Sequence, residues 1–207
     1  MDKEEKDLST EEKIKEAARQ IFQQKGFAGT RTRDIAEAAG INLALLNYYY
    51  RSKEKLFTIV MEESLRALFQ QVLQIICNES TSLSEKIDII VNLYMDILMD
   101  NPNLPLFILS EIQSDPNIFK QKIGLSLSFV YHSSLIKQGM SHLKQVGLEN
   151  INPGHFIINI VSMTIFPFMA KPFILTMFEL EDNDFRQFVN ERRLLIPMWI
   201  KNMLQLQ

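Results

Sequence analysis

Cysteine is nearly absent from this chain. The one thiol, Cys77, has no partner for an internal disulfide, so the fold has to be held by packing, as in a reducing cytosol. Its neighbours, Val-Leu-Gln-Ile-Ile, are apolar, which predicts a buried and inert side chain rather than a reactive thiolate. Long uninterrupted apolar runs are missing too. The most apolar stretch, residues 155–178, is broken by Pro167, Lys171 and Pro172 and diluted by Asn159, Ser162 and Thr164, so a membrane span is not expected. The opening residues MDKEEKDLSTEEK lack an apolar core, so neither a secretory leader nor export is expected, and the expected location is cytoplasmic.

The signatures of catalysis are also missing. His132, His142 and His155 lack metal-ligand spacing with carboxylates or cysteine, and there is neither a glycine-rich phosphate loop nor a nucleophile elbow. The expectation is therefore no enzyme, no metal and no cofactor. An excess of positive charge is absent as well: 22 basic residues face 25 acidic ones, and the sequence pI is about 5.7. That excludes a generally basic coat for nucleic acid but leaves room for a local patch. No run of period-two alternation is long enough for a sheet.

What the chain does have is helical periodicity, and its most organised stretch is Thr30 to Leu56. Ile35, Ala36 and Ala39 give a short helix one stripe of small apolar side chains. Gly40 can then adopt the left-handed conformation that stops a helix, and Asn42 can cap the next one. That helix, about Leu43 to Tyr50, divides into an inner face, Leu46 and Tyr50, and an outer one, Leu43, Ala44, Asn47 and Tyr48. Small and amide side chains allow close approach to a DNA groove, where asparagine pairs with adenine and alanine or leucine packs on a thymine methyl. From Lys25 to Lys55 six basic residues (Lys25, Arg31, Arg33, Arg51, Lys53, Lys55) stand against three acidic ones, a local net of +3. Cations around a neutral reading helix suit phosphate contacts flanking base contacts.

Around this unit, a first helix is predicted over about Thr10 to Lys25, started by a Ser9/Glu12 capping box and closed by Gly26. Ser52 reads as the cap of a long fourth helix, about Lys53 to Asn78. Lys53 and Lys55 fall in its first turn, where the helix dipole disfavours cations and an anion would relieve the cost.

The run from Lys13 to Leu56 carries Ala-Ala…Ile-Phe, Lys-Gly-Phe, Thr-x-x-x-Asp-Ile-Ala, Ala-Gly-Ile-Asn and Tyr-Tyr-x-Ser-Lys-Glu-x-Leu in order. It resembles the N-terminal DNA-binding domain of the TetR family of bacterial transcriptional regulators. The resemblance covers about the first quarter of the chain. It implies that Arg33 faces DNA from the second helix and that Leu43, Ala44, Leu45, Asn47, Tyr48 and Tyr49 face it from the recognition helix, with Asn42 at its start. It further implies a phosphate contact at Lys53. Many members have tyrosine where this chain has Asn47 and glycine or proline where it has Ala44, so docking is implied and base preference is not.

The remainder reads as all-helical. A helix is predicted over about Leu83 to Met99 behind a Ser82/Glu85 capping box, and a less regular element over Leu104 to Ser114. One helix should run from Pro116 to about Val146, and a very apolar one should follow Asn152-Pro153. The last helix should span about Asp182 to Leu204. A helix apolar nearly all round must bury both faces, and a second copy supplies the second cover, with Phe168, Phe188 and Trp199 as interface residues. Ten Met and fourteen Phe residues, mostly beyond position 56, suggest either an ordinary core or an adaptable cavity, with Tyr94, Phe107, His132 and Met163 as pocket positions.

The expectation is thus an all-α chain of about nine helices. Residues 1–52 form a three-helix helix-turn-helix DNA-binding domain, and residues 53–207 a helical effector-binding and dimerisation domain. The expected function is that of a repressor released from a palindromic double-stranded DNA operator by an apolar or amphipathic small-molecule effector, and the further partner expected is a second copy of the chain, with no membrane. The competing reading is a helical protein-interaction module whose helix-turn-helix is vestigial.

Overall fold

The computed structural model describes residues 3–122 and 127–206, and among these every regular element is a helix. The helices are α1 (Lys3–Gly29), α2 (Thr32–Ala38), α3 (Leu43–Tyr49), α4 (Lys53–Cys77), α5 (Leu83–Asp100) and α6 (Leu104–Ser114). They continue as α7 (Pro116–Lys122), α8 (Leu127–Tyr131), α9 (Ser134–Gln145), α10 (Gly154–Met169), α11 (Lys171–Met177) and α12 (Asp182–Met203). The chain forms two compact units, Met1–Leu65 and Arg66–Gln207.

In the first unit α1 begins well ahead of the expected Ser9 cap, so Ser9 lies inside the helix. The charged lead-in of Lys and Glu consists of good helix formers, and no breaker separates it from the apolar stripe that follows. Regular geometry breaks at Gly26, whose φ of 67° and ψ of 173° only glycine adopts without strain. Ile14, Ala18, Phe22, Ile35 and Leu46 form the centre of the core, each at most 1% exposed. From α4, Leu56, Val60 and Leu65 close it, and Glu63 accepts from Lys15 at 2.7 Å and from Arg19 at 3.2 Å.

In the second unit the Ser82 side chain caps α5 through the backbone N–H of Glu85, whose carboxylate returns to the Ser82 N–H at 2.7 Å. Those hydrogen bonds hold the Glu85 carboxyl below the usual carboxylate range. The buried ammonium of Lys86 donates to the Thr81 carbonyl at 2.5 Å, and Gln138 of α9 donates to the same oxygen at 2.9 Å. α5 packs against α9, α10 and α12, and Arg193 and Lys201 of α12 pair with Asp96 and Asp88 of α5, each at 2.5–2.6 Å.

Several expectations are corrected here. Among the described residues twelve helical segments stand where about nine helices were expected, because the span after Pro116 is interrupted before Ser134 and the apolar stretch after Asn152-Pro153 breaks at Ala170 into α10 and α11. Ser133 accepts from the Ile136 N–H and starts a new helix at a point where periodicity alone runs on; residues 123–126 of that span lie outside the described ones. Leu104–Ser114 is a regular α-helix with Pro105 in its first turn, where a proline fits without losing a hydrogen bond. Cys77 is exposed, since α4 ends on it and the core stripe stops at Ile76. His132 sits exposed in the turn between α8 and α9, not within an apolar helix.

Pro167 is carried inside α10, and the chain bends by 71° only at Ala170, before α11. Among the described residues no single helix is long and apolar enough to cross a membrane; α10 and α11 meet that test only as a bent pair.

Candidate nucleic-acid interface and an apolar cavity

The helix-turn-helix is built by three local devices. Asp34 in the first turn of α2 accepts from the Arg31 N–H at 3.4 Å and from the Lys25 ammonium at 2.7 Å, which holds its carboxyl below the ordinary range. Gly40 makes the turn with φ 67°, and the Asn42 side chain accepts from the Leu45 N–H at 2.8 Å to start α3. Leu46 and Tyr50 then anchor α3 in the core, at 1% and 3% exposure. The Tyr50 hydroxyl donates to Glu11 at 3.2 Å, and burial beside carboxylates pushes that phenol up.

The outer face of α3 is open. Ala44, Asn47 and Tyr48 are exposed, Tyr48 at 78%, and Leu43, Leu45 and Tyr49 are half-buried. The Tyr48 and Tyr49 rings meet edge to face at 5.4 Å. Asn42 is exposed, but its side-chain oxygen is engaged in the cap. Arg33 is exposed on α2, and Arg31, Arg51 and Lys55 are exposed around it in the sequence.

Lys53 stands differently. Its ammonium donates to the carbonyls of Phe27 at 2.9 Å and Thr30 at 3.1 Å, and lies 4.2 Å from the centre of the Phe27 ring. Thr30 in turn donates to the Gly26 carbonyl at 2.6 Å. Lys53 therefore satisfies orphan carbonyls at the end of α1, a role that its position in the first turn of α4 did not announce. Phe57 joins the same cluster, 4.9 Å from Phe27 and 5.0 Å from Phe22.

The second unit holds a cavity of about 250 Å³. Leu68, Phe69 and Val72 of α4 form one wall, Ile90 and Tyr94 of α5 a second, and Ile157, Ile160 and Ile165 of α10 a third. α6 to α9 add Ile112, Phe119, Val130 and Leu135. Of the four pocket positions expected from sequence, Tyr94 lines this space. Phe107 is buried outside the lining, Met163 is half-buried with its carbonyl accepting from Arg192 at 2.9 Å, and His132 is exposed elsewhere. Among the described residues no methionine lines the cavity; its walls are chiefly branched aliphatic, a composition hidden in sequence because the same stripes serve as core.

The expected interface residues also separate. Phe168 is a core residue of its own unit, 5% exposed and edge to face with Phe185 at 6.0 Å. Phe188 is half-buried, and Trp199 is 36% exposed beside the Arg192 guanidinium at 5.5 Å. What α10 leaves open is the stripe Ile158, Ser162 and Phe166, with Leu194 and Met198 open on α12.

Residues 14–59 match the family described as bacterial regulatory proteins, tetR family. The chain is 30% identical over 152 residues to the HTH-type transcriptional regulator RutR of Escherichia coli O157:H7, covering 73% of this chain and 70% of that one. It is 25% identical over 207 residues to YttP of Bacillus subtilis (strain 168), covering 96% and 95%. Among solved structures, a transcriptional regulator of the TetR/AcrR family from Thermobifida fusca superposes with a TM-score of 0.59 at 15% identity, covering 89% of this chain and 94% of the other. FadR from Bacillus subtilis in complex with stearoyl-CoA does so with a TM-score of 0.52 at 16% identity, covering 89% and 96%. These two likenesses concern the fold.

Proposed function

We propose a mechanism from the premise that this chain belongs to the TetR family of bacterial regulatory proteins and is a sequence-specific DNA-binding transcriptional regulator. The observation that carries the reading is the division of α3, with Leu46 and Tyr50 held in the core and Ala44, Asn47 and Tyr48 left open. A neutral, shallow face of this kind enters a major groove, while Arg31, Arg33, Arg51 and Lys55 meet phosphates on either side.

In this proposal residues 1–52 read DNA, and residues 53–207 bind an effector and pair with a second copy in the cytoplasm. The open apolar stripe of α10 and the exposed Leu194, Met198 and Trp199 of α12 support pairing, because contiguous apolar surface of this kind is uncommon on a lone chain. A two-fold pair places its recognition helices in successive major grooves about 34 to 36 Å apart, and a palindromic operator follows. The protein acts there as a repressor.

Release comes from the cavity. α4 is one continuous helix from Lys53 to Cys77, and its Leu68, Phe69 and Val72 line the space a small molecule would occupy. An effector that shifts α4 moves the helix whose start holds the Phe27–Thr30 segment in place. It releases DNA only if it binds the incompetent arrangement more tightly, since equal affinity for both shifts nothing.

The test is selection of bound sequences from random duplex DNA by the purified protein. Enrichment of a two-fold palindrome is expected. Failure to enrich any sequence, with no duplex retained at moderate salt, sinks the regulator mechanism in favour of a protein-interaction module.

A further inference from the structure

The cavity's chemistry is narrower than its role. Among the described residues, the lining carries no carboxylate, ammonium, guanidinium or imidazole, so a charged group drawn inside meets no counter-ion from them. Desolvating an unpaired ion costs several kcal/mol in a protein interior, more than an aliphatic wall returns. Among the described residues, the one lining side chain with a polar atom is Tyr94. It is 7% exposed, and burial pushes its phenol up to about 12, so the hydroxyl stays protonated at neutral pH. Among the described residues no protein group accepts that hydrogen.

The walls add shape. Ile90, Ile112, Ile157, Ile160 and Ile165 are β-branched and stiff, so the space is set before a ligand arrives. A methionine-lined pocket would instead adapt to many shapes.

From the unanswered hydroxyl in an otherwise hydrocarbon cavity of 250 Å³, we propose that the ligand is an uncharged aliphatic chain with one hydrogen-bond acceptor, which Tyr94 engages. The polar end is an uncharged carbonyl of the ketone, ester or amide type. This rests on the reading of the cavity as an effector site, but its test does not depend on DNA.

The experiment uses the full chain and titrates 2-nonanone, octane from its saturated aqueous solution, nonanoate and nonylammonium, with binding read by calorimetry and by the rise in melting temperature. Saturable binding of one 2-nonanone per chain is expected, and nonylammonium and nonanoate should bind at least tenfold more weakly. Tyr94→Phe should weaken 2-nonanone about 2- to 12-fold, the worth of one net hydrogen bond, and leave octane unchanged. Tyr94→Phe removes a single oxygen from a chain that is otherwise intact, so a loss of folding would show at once in the melting curve of the unliganded protein. The proposal is overturned by equal binding of a charged probe in competition with the ketone, by equal weakening of ketone and octane in Tyr94→Phe, or by no saturable ketone binding. Ketone binding that leaves a selected operator sequence fully occupied upholds the ligand class and sinks the effector mechanism instead.

Discussion

Lys53 and Phe27 are bound twice over: the Lys53 ammonium donates to the Phe27 carbonyl at 2.9 Å and lies 4.2 Å from the centre of its ring. A further hydrogen bond, to the Thr30 carbonyl at 3.1 Å, closes a clasp over the segment that joins α1 to α2. A lysine in the first turn of a helix opposes the dipole, and here the carbonyls at the end of α1 offset that cost where a phosphate was expected to.

Lys53→Met should therefore lower operator affinity by loosening this clasp, and should destabilise the protein by about 1–2 kcal/mol in chemical denaturation. Because a clasp releases no counterions from DNA, the slope of log affinity against log salt should match that of the parent. Arg33→Ala, by contrast, should flatten that slope by about 0.9 for each phosphate it no longer neutralises. A flattened slope with unchanged stability in Lys53→Met would return this residue to the phosphate backbone.

Asn47 is exposed on the open face of α3 and belongs to no described hydrogen bond that the cap or the core requires. Asn47→Ala should cost about 1–3 kcal/mol of discrimination between the selected operator and random duplex, with little change on random duplex. Gel-shift titrations on both sequences measure it, and equal losses would remove Asn47 from base reading.

Asp34 ties α1 to α2 through Lys25 and the Arg31 N–H, and its carboxyl is held below the usual range first by the Lys25 hydrogen bond. A lowered folded value means that this contribution is present above the unfolded carboxyl value and is lost as pH falls through the folded one. Stability should fall below the ordinary carboxylate range in the parent, and less steeply in Asp34→Asn. Melting temperatures from neutral pH downward provide the check; parallel curves for the two proteins would contradict it.

Phe166 and Phe168 lie two residues apart on α10 and answer different questions. Phe168 is 5% exposed and Phe166 60%. Phe168→Asp should unfold or strongly destabilise the second unit, by about 3–5 kcal/mol or more, since it removes a buried ring and adds an unpaired charge. Phe166→Asp should leave the fold intact, yield a monomer in sedimentation and abolish tight binding to a full palindrome. A dimeric Phe166→Asp protein would move the pairing surface off this stripe.

The reading unit was legible because its information is local. Gly40, Asn42, Ser52 and the Ser82/Glu85 pair act within one turn of their own position, so spacing alone marks the starts and stops. The inner face of α3, Leu46 and Tyr50, follows from 100° of rotation per residue. The break at Ser133 was missed because an apolar period continues across it, and the cap that starts α9 is an ordinary serine among polar neighbours.

The amino-acid sequence by itself determined the helical class, the helix-turn-helix and which side of α3 meets solvent, because capping and periodicity are properties of neighbours along the chain. Only the tertiary structure decided that Lys53 holds backbone carbonyls, that Phe168 is core while Phe166 is surface, and that the described lining of the cavity is chiefly aliphatic beside Tyr94. Those outcomes depend on which distant stripe an apolar or charged side chain meets, and one stripe of Ile and Leu looks the same in sequence whether it fills a core or lines a cavity.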